Sequence, residues 1–425
     1  MTKDTTLVVG GGLTGLAAAV GAAQRGARVI VVERGKELGG RGRSDTEGGY
    51  ALNLGPHALY PRAHQLLGEL GVNAEGKIPS TEALAMRMGG RVVPLPTGAL
   101  SVLGHPSLSL AGKWALGRCL GQVLYGRRDA RLDALSVREW LAGAPADARA
   151  VTEAFVRLAT YSHAPERLSA GVAIRQIAGG LAVRYLDGGW QQIVGALSER
   201  ARQLGVEVRL RAKVEAIEHE GGRVRAVIVD GERIACGAVI VTLSPKASVS
   251  LLGEAAPAEL RRFAESATPV RAACLDVALR SLPRPAPKLV LGVDRPTYLS
   301  VHSSTARLAP EGGAVIHVAR YLAPDERVDP AAARAELEAE LDDVQPGWRE
   351  VLVRASFAPA LLVSHALAES TQRGLAGRPA VDATGVAGVA LAADWVGPRG
   401  LLFEACLESA RAAVASIATA ARAAA

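Results

Sequence analysis

The chain has 425 residues, of which 49% are hydrophobic and 21% charged, so it is too apolar to be disordered and long enough for roughly two to three domains. Its four cysteines are widely spaced and its cations are scattered despite a net charge of +7, which argues against a disulfide framework, a metal centre and a nucleic-acid-binding surface. The first residues lack a signal-peptide pattern, and we therefore expect a cytoplasmic protein.

The N-terminal segment has the pattern of a strand, a glycine-rich turn, a helix and a second strand. Residues 7–9 are apolar, residues 13–25 have helical spacing, and residues 28–33 are rich in β-branched side chains and end in an acid. This order predicts one βαβ unit.

The turn in this unit contains the spacing G-x-G-x-x-G. Gly10 permits the tight turn, Gly12 lets the backbone approach a pyrophosphate, and Gly15 lets the helix pack on the strand. The free N–H groups at the helix N-terminus favour phosphate binding. Glu33, at the end of the second strand, can accept the ribose hydroxyls of an adenosine and disfavours a 2′-phosphate. The pattern therefore predicts a dinucleotide other than NADP. Its other expected contacts on this loop are Leu13 and Thr14.

The segment after the second strand contains another glycine pair, at 39–40, which is followed by Arg41 and Arg43. Guanidinium groups match the geometry of phosphate oxygens, so this segment suits a second contact on the same pyrophosphate. With these motifs the sequence resembles the superfamily of flavin amine oxidases, phytoene desaturases and protoporphyrinogen oxidases, and its phytoene desaturase-like branch in particular. The resemblance implies FAD, bound non-covalently. The remaining contacts expected in this segment are Arg34 and Gly40.

Three further segments extend the resemblance. Gly55, Pro56 and His57 resemble the turn that runs beneath the isoalloxazine ring in the family, and Val214 resembles a residue that contacts the adenine. Asp394 and the glycine-rich turn after it resemble the closing motif of the family, which implies that Asp394 holds ribityl or pyrophosphate oxygens. The helix that follows this turn is then expected to point its N-terminus at the flavin pyrimidine. The backbone groups expected there belong to Gly400, Leu401 and Leu402.

The remaining segments differ in their periodicity. Helical signals dominate residues 56–180, whereas residues 205–245 alternate in polarity and end in an apolar run typical of a buried parallel strand. Residues 270–320 alternate again and contain prolines, which predicts edge strands of a second sheet.

We therefore expect an α/β protein. A Rossmann-type FAD-binding domain is built from discontinuous segments, and an inserted α+β substrate domain has a mixed sheet with helices. The FAD-binding domain is assigned to residues 1–60, 186–245 and 375–425, and the substrate domain is assigned to residues 61–185 and 246–374.

Residues 92–112 carry no charged side chain, but prolines and glycines interrupt them, so they cannot form a membrane-spanning helix. This composition, with the cations that follow it, suits an apolar entrance at an anionic lipid surface, with residues 92–128 in peripheral membrane contact. A proline-rich loop followed by an ordinary amphipathic helix also fits it. The residues that follow the apolar stretch and would face the lipid are Lys113, Trp114, Arg118, Arg127 and Arg128.

The composition also bears on the chemistry. Amine oxidases of the superfamily place a lysine near the flavin N5 and surround the ring with aromatic side chains, whereas this chain is 4% aromatic and its best-placed lysine is Lys288. Desaturase-like members need less side-chain chemistry, because positioning and the flavin itself drive hydride removal. The resemblance therefore implies an FAD-dependent oxidoreductase that removes hydride from, saturates or isomerises a small apolar or polycyclic metabolite.

His57 is the main candidate for an acid–base group, because it follows the turn that resembles the flavin-lining one. The other residues expected to line the substrate cavity are Tyr161, Tyr298, His302 and His317. For the two later histidines, a structural place among apolar neighbours also fits. Two other functions stay open: an oxygen-dependent flavin oxidase of an amine or tetrapyrrole, and a flavin-bound structural or partner protein without turnover.

Overall fold

The structure is a computed structural model that describes residues 5–126 and 129–422. Its strands are, in chain order, β1 (Thr5–Val9), β2 (Arg28–Glu33), β3 (Ser44–Glu47), β4 (Tyr50–Asn53), β5 (Gly76–Lys77), β6 (Leu84–Met88), β7 (Arg91–Pro94), β8 (Tyr185–Leu186), β9 (Glu207–Leu210), β10 (Val214–Glu220), β11 (Arg223–Val229), β12 (Glu232–Ala235), β13 (Ala238–Val241), β14 (Val270–Leu279), β15 (Leu289–Gly292), β16 (Thr297–Val301), β17 (Ala314–Tyr321), β18 (Leu352–Ser364) and β19 (Val389–Leu391).

Helices connect and cover these strands. They are α1 (Leu13–Ala23), α2 (Pro61–Glu69), α3 (Ala99–Leu103), α4 (Leu110–Tyr125), α5 (Val137–Trp140), α6 (Ala146–Thr160), α7 (Ala170–Gly179), α8 (Gln191–Gln203), α9 (Pro245–Leu252), α10 (Ala258–Ser266), α11 (Pro330–Val344) and α12 (Leu402–Arg422). In the described part of the chain, no helix combines the length and the hydropathy needed to cross a membrane.

A parallel sheet with the order β19-β13-β1-β2-β9 forms one half of the molecule. Every residue of β1 and β13 is buried, because α1, α8 and α12 cover one face and the antiparallel sheet β10-β11-β12 covers the other. The alanine-rich sequence of α1 lets α8 and α12 pack closely on either side of it. This layering explains the unbroken apolar runs of the strands, and it confirms the predicted Rossmann-type α/β fold.

A mixed sheet with the order β18-β14-β17-β16-β15-β6-β7 forms the other half. The prediction of edge strands within residues 270–320 is wrong, because β14 to β17 lie inside this sheet and its edges are β18 and β7. The prolines that suggested edges fall mainly in the connections between strands, where they remove no ladder hydrogen bond. Helix α11 packs on one face of β14 and β17, and α6 contributes to the core on the other face.

The chain passes between the two halves more than once. The parallel sheet takes β1 and β2 from the N-terminus, β9 and β13 from the middle, and β19 from near the C-terminus, whereas the mixed sheet takes its strands from residues 84–94 and 270–364. This alternation supports the division into an FAD-binding domain of residues 1–60, 186–245 and 375–425 and an inserted substrate domain, which we keep as a proposal.

Candidate cofactor and substrate site

A cavity of about 1070 Å³ lies at the carboxyl ends of the parallel strands, facing the mixed sheet. Val9 ends β1, Glu33 ends β2, Thr242 follows β13 and Asp394 follows β19, and all four line the cavity. Crevices at this edge of open α/β sheets are the usual place for nucleotide ligands. The volume exceeds the ~300–1,000 Å³ typical of a pocket for one drug-sized ligand, which leaves room for a dinucleotide and a substrate.

The glycine-rich turn meets the cavity at the start of α1. Gly12 is the N-terminal cap of α1 and has no side-chain cap, so the first N–H groups of the helix stay available to a ligand. A Cβ on Gly12 would meet no protein atom within 4 Å, whereas a Cβ on Gly15 would lie 1.9 Å from the Gly10 carbonyl oxygen. Gly15 therefore serves helix packing, and Gly12 leaves an open cradle at the cavity. The loop residues that line the cavity are Gly10, Gly12, Leu13 and Thr14.

Glu33 holds this turn in place. Its Oε2 accepts a hydrogen bond from the Gly11 N–H at 2.7 Å, and its Oε1 accepts one from the Gly35 N–H at 2.6 Å. A carboxylate oxygen can accept more than one hydrogen bond, so the same group can still accept ribose hydroxyls. Arg34 and Val214, two of the predicted cofactor contacts, also line the cavity.

A charged cluster around the buried Asp394 joins the second glycine segment to the closing motif. The Arg41 Nη2 lies 2.9 Å from Oδ2 of Asp394, and the His365 Nδ1 lies 2.9 Å from its Oδ1. Burial alone would raise the pKa of Asp394, but the Arg41 guanidinium and the His365 hydrogen bond outweigh it and hold that pKa well below its usual range. All three side chains line the cavity, where a guanidinium that keeps free N–H groups suits a pyrophosphate.

The turn with His57 lines the cavity on the side of the mixed sheet. Gly55, at φ +80°, donates its N–H to Oδ2 of Asp276 on β14 at 3.0 Å, so the mixed sheet holds this turn. The His57 Nδ1 lies 2.9 Å from the Gly55 carbonyl oxygen, and burial lowers the pKa of His57 below 6.5. Because a carbonyl only accepts hydrogen bonds, a neutral His57 carries its proton on Nδ1 and keeps Nε2 as a proton acceptor. Pro56 and His57 both line the cavity.

Comparison with known proteins agrees with this geometry. The family model for flavin containing amine oxidoreductases matches residues 13–290. The chain belongs to this family. Membership confirms the predicted resemblance to flavin-dependent oxidoreductases and confirms FAD as the cofactor.

The curated relatives in this flavin family include enzymes named for different substrates. A Mycobacterium tuberculosis protein named as a flavin-containing monoamine oxidase (AofH) is 32% identical over 276 residues, which are 58% of each chain. The phytoene dehydrogenase of Streptomyces griseus is 30% identical over 304 residues, which are 59% of this chain and 56% of the relative. The matches thus span little more than half the length of these relatives.

Solved structures of the same fold cover nearly the whole chain. An oxidoreductase from Methanosarcina mazei has a TM-score of 0.77 at 18% identity, with 98% of this chain and 100% of that chain covered. A putrescine oxidase bound to putrescine has a TM-score of 0.74 at 18% identity, with 98% and 99% covered. At these identities the likeness is one of fold.

Several predicted contact residues of this flavin protein lie near the cavity without lining it. The Arg43 Nη1 lies 3.3 Å from Oε2 of Glu37 in an exposed ion pair, and Arg43 does not line the cavity. Leu401 packs in an apolar cluster with Leu168 and Leu367. The other predicted contacts that do not line the cavity are Gly15, Gly55 and Gly400.

The predicted substrate residues separate into two groups. Tyr161 lines the cavity, and burial raises the pKa of its phenol. Tyr298, His302 and His317 do not line it but lie in a buried polar cluster. Strand β16, which contains Tyr298 and ends just before His302, and strand β17, which contains His317, are in the middle of the mixed sheet. Within that cluster the His302 Nε2 lies 3.2 Å from the Tyr298 hydroxyl, and the His317 Nδ1 lies 2.6 Å from Oδ1 of Asp276.

Lys288 does not line the main cavity, whereas three residues outside the predicted set do. Lys288 lines a separate, smaller cavity of about 200 Å³. His365 follows β18 and Cys274 lies within β14, and both line the main cavity although neither belongs to a recognisable motif. Trp190 also lines it, with its ring centroid 4.8 Å from that of His57.

Proposed function

We propose that the protein holds FAD without a covalent bond and removes hydride from an apolar or polycyclic metabolite, as desaturases do. The observation that carries the proposal is the lining of the cavity beside the mixed sheet. It consists mainly of apolar groups: Tyr60, Ala63, Tyr161, Ala272, Cys274, Leu361, Leu362 and Val363. Among the described residues the one lysine that lines the cavity is Lys213, beside Val214 on the Rossmann side.

The residues present fit FAD along the length of the cavity. The open cradle at Gly12 and the start of α1 suit the pyrophosphate, Glu33 suits the adenosine ribose, and the start of α12 suits the flavin pyrimidine. Arg41, fixed by Asp394, offers a cation to the phosphates. Bound FAD supplies a hydride acceptor at N5 of its isoalloxazine ring.

The protein's own contribution to the reaction is orientation, exclusion of water and transfer of a proton. The apolar wall aligns an extended substrate and keeps water away from the reacting carbon. Formation of a carbon–carbon double bond removes one hydride and one proton from the substrate. The Nε2 of His57 is the acceptor that we propose for the proton, because its Nδ1 is already engaged with the Gly55 carbonyl.

Anaerobic reduction of the flavin in a single turnover tests this proposal. We expect an apolar polyene or polycyclic donor to bleach the flavin and small amines to leave it oxidised. His57→Ala should retain FAD, because its side-chain hydrogen bond stays within its own turn, and should slow reduction by about 10²–10⁴-fold. His219→Ala, an exposed histidine on β10, is the control and should leave the rate unchanged. An unaltered rate in His57→Ala would remove His57 from the mechanism.

Amine oxidation is the second candidate function. It is favoured by the relative named as a monoamine oxidase and by the shared fold of putrescine oxidase. A tetrapyrrole substrate belongs to the same alternative, because a coproporphyrinogen III oxidase from Propionibacterium freudenreichii is 39% identical over 101 residues. Reduction by amines or porphyrinogens, with none by apolar polyenes, would decide for this alternative. Family membership supports either enzyme over a flavin protein without turnover.

We also propose that residues 92–126 contact an anionic membrane surface. Large apolar side chains on α3 and α4 point into solvent: Leu100 is 86% exposed, Trp114 is 80% exposed and Tyr125 is 87% exposed. Arg118 is exposed on the same helix, so apolar and cationic groups share one surface. This combination suits the interface of a bilayer with anionic lipids. Arg127 and Arg128, which the sequence added to this surface, lie outside the described residues.

Vesicle sedimentation tests the membrane contact. The protein should pellet with vesicles that contain phosphatidylglycerol at low salt and remain in solution at high salt, because salt screens the attraction to the lipid charge. Leu100→Ser with Trp114→Ser should abolish pelleting, whereas Val353→Ser, an exposed apolar residue on β18, should not change it. A parent protein that stays in solution at low salt, or that buries this surface in a dimer, would contradict the proposal.

A further inference from the structure

Arg378 is a buried cation that neither the sequence motifs nor the proposed chemistry uses. It precedes Pro379, whose carbonyl accepts the Gly397 N–H at 2.8 Å, so this segment runs beside the closing turn. The side chain is 8% exposed. Its Nη1 donates to the Gly400 carbonyl oxygen at 3.0 Å, directly behind the start of α12.

Most of this guanidinium has no partner. Its Nε and Nη2 are buried without a hydrogen bond, and in the described part of the chain no carboxylate lies within ion-pair distance of it. The carboxylate that raises the pKa of Arg378, that of Asp394, is already engaged by Arg41 and His365. Burial lowers the pKa of Arg378 to about 10, so it remains charged at pH 7.

A buried cation without a counter-ion destabilises the folded protein. A single hydrogen bond to a carbonyl oxygen does not require a charged donor. A neutral amide could donate to the Gly400 oxygen equally well. The cost is offset if negative charge develops close by in the functional state. The proposed site places such a charge next to Gly400, because uptake of two electrons and one proton leaves reduced FAD with one negative charge on its pyrimidine side.

We propose that Arg378 is a positioning residue that acts through the Gly400 turn and stabilises the reduced cofactor electrostatically, thereby raising the reduction potential of the flavin. This inference rests on the proposed FAD site. The N-terminal dipole of α12 and the Arg378 cation both place positive charge at that turn, so their effects add. Arg378 does not line the cavity, so it acts without touching the cofactor.

The experiment is a redox titration of the FAD-loaded protein against a reference dye, with dithionite supplying the electrons. Arg378→Gln removes the charge and keeps an amide that can donate to Gly400. We expect it to lower the equilibrium constant for two-electron reduction at least tenfold, which is a shift of about 30 mV. Arg378→Lys keeps the charge and should retain most of the parent potential. Arg399→Gln is the matched control, because Arg399 is an exposed cation on the same turn and solvent screens it.

Two further measurements distinguish a failure of this inference from a failure of the proposed FAD site. FAD stoichiometry, measured after release of the cofactor, should be equal in all four proteins, and a parent that binds no FAD would contradict the proposed site itself. Thermal unfolding without FAD should be no easier for Arg378→Gln than for the parent, because the variant lacks an uncompensated buried charge. Full FAD occupancy with an unchanged potential in Arg378→Gln would overturn this inference, and so would a lower apoprotein melting temperature with an unchanged potential.

If Arg378→Gln does not retain FAD, the same redox titration is made with Arg378→Met. Its side chain is apolar and similar in length, so it fills the space of the aliphatic stem without a charge. The same tenfold fall is expected, and a potential equal to that of the parent would again overturn the inference.

Discussion

Gly12→Val is expected to give a folded protein that no longer binds FAD, whereas Gly15→Val is expected to disrupt folding. The Gly12 cradle faces the cavity, its φ of −71° suits any residue, and an added Cβ there meets no protein atom within 4 Å. Valine would therefore occupy the space of the pyrophosphate without straining the chain. We expect a loss of FAD affinity of at least about a hundredfold, equivalent to ~2.8 kcal/mol.

Gly15→Val, the matched substitution three residues later, affects the packing of the protein and not the space for FAD. A Cβ on Gly15 would lie 1.9 Å from the Gly10 carbonyl oxygen, so α1 would have to move away from β1 at the centre of the parallel sheet. Overpacking of this kind lowers the free energy of unfolding by more than the ~1–3 kcal/mol of an ordinary core insertion, because backbone atoms cannot change rotamer as a side chain can. Circular dichroism and thermal unfolding of the apoproteins, with FAD absorbance of the loaded forms, measure both effects. A Gly12→Val variant that keeps full FAD occupancy would refute the placement of the pyrophosphate.

Asp394→Asn is expected to lower the free energy of unfolding by about 2–4 kcal/mol at pH 7, because it removes the charge that the Arg41 guanidinium and His365 compensate. The carboxylate is 2% exposed, so water cannot replace its partners. Urea unfolding of the apoprotein measures the change. Asp45→Asn is the control, because Asp45 pairs with Arg354 on the surface and exposed pairs contribute about 0–1 kcal/mol.

The same variant should change the dependence of stability on pH. The pKa of Asp394 is lower in the folded chain than its unfolded value of ~3.9, so its contribution is complete above that value and is lost as the pH falls toward the folded pKa. The stability difference between parent and variant should therefore be constant near neutrality and shrink below about pH 4. A difference that stays constant into acid would show that the ionised carboxylate is not what stabilises this cluster.

The sequence patterns predicted those parts of the site whose residues lie close together in the chain. The glycine spacing, Glu33 at the end of β2 and the glycine turn before α12 each depend on residues close in sequence, and the structure brings them to one cavity. His365 and Asp276 could not be predicted in the same way, because the contact of His365 with Asp394 and that of Asp276 with the Gly55 N–H form only when the mixed sheet packs against the Rossmann half. The strands within residues 270–320 were misplaced at the sheet edge for the same reason, since their central position is set by β18 and β6, which are distant in the chain.

The order of strands in the parallel sheet has a consequence for biosynthesis. β1 is made first yet lies at the centre, and one of its edges stays unpaired until residues 238–241 leave the ribosome and form β13. Asp394 and α12 are made later still. A nascent chain that has already formed the glycine turn therefore lacks the residues proposed to hold the flavin end of FAD. We therefore expect FAD to bind late, after α12 has been made, and we expect the unpaired edge of β1 to favour aggregation until β13 pairs with it.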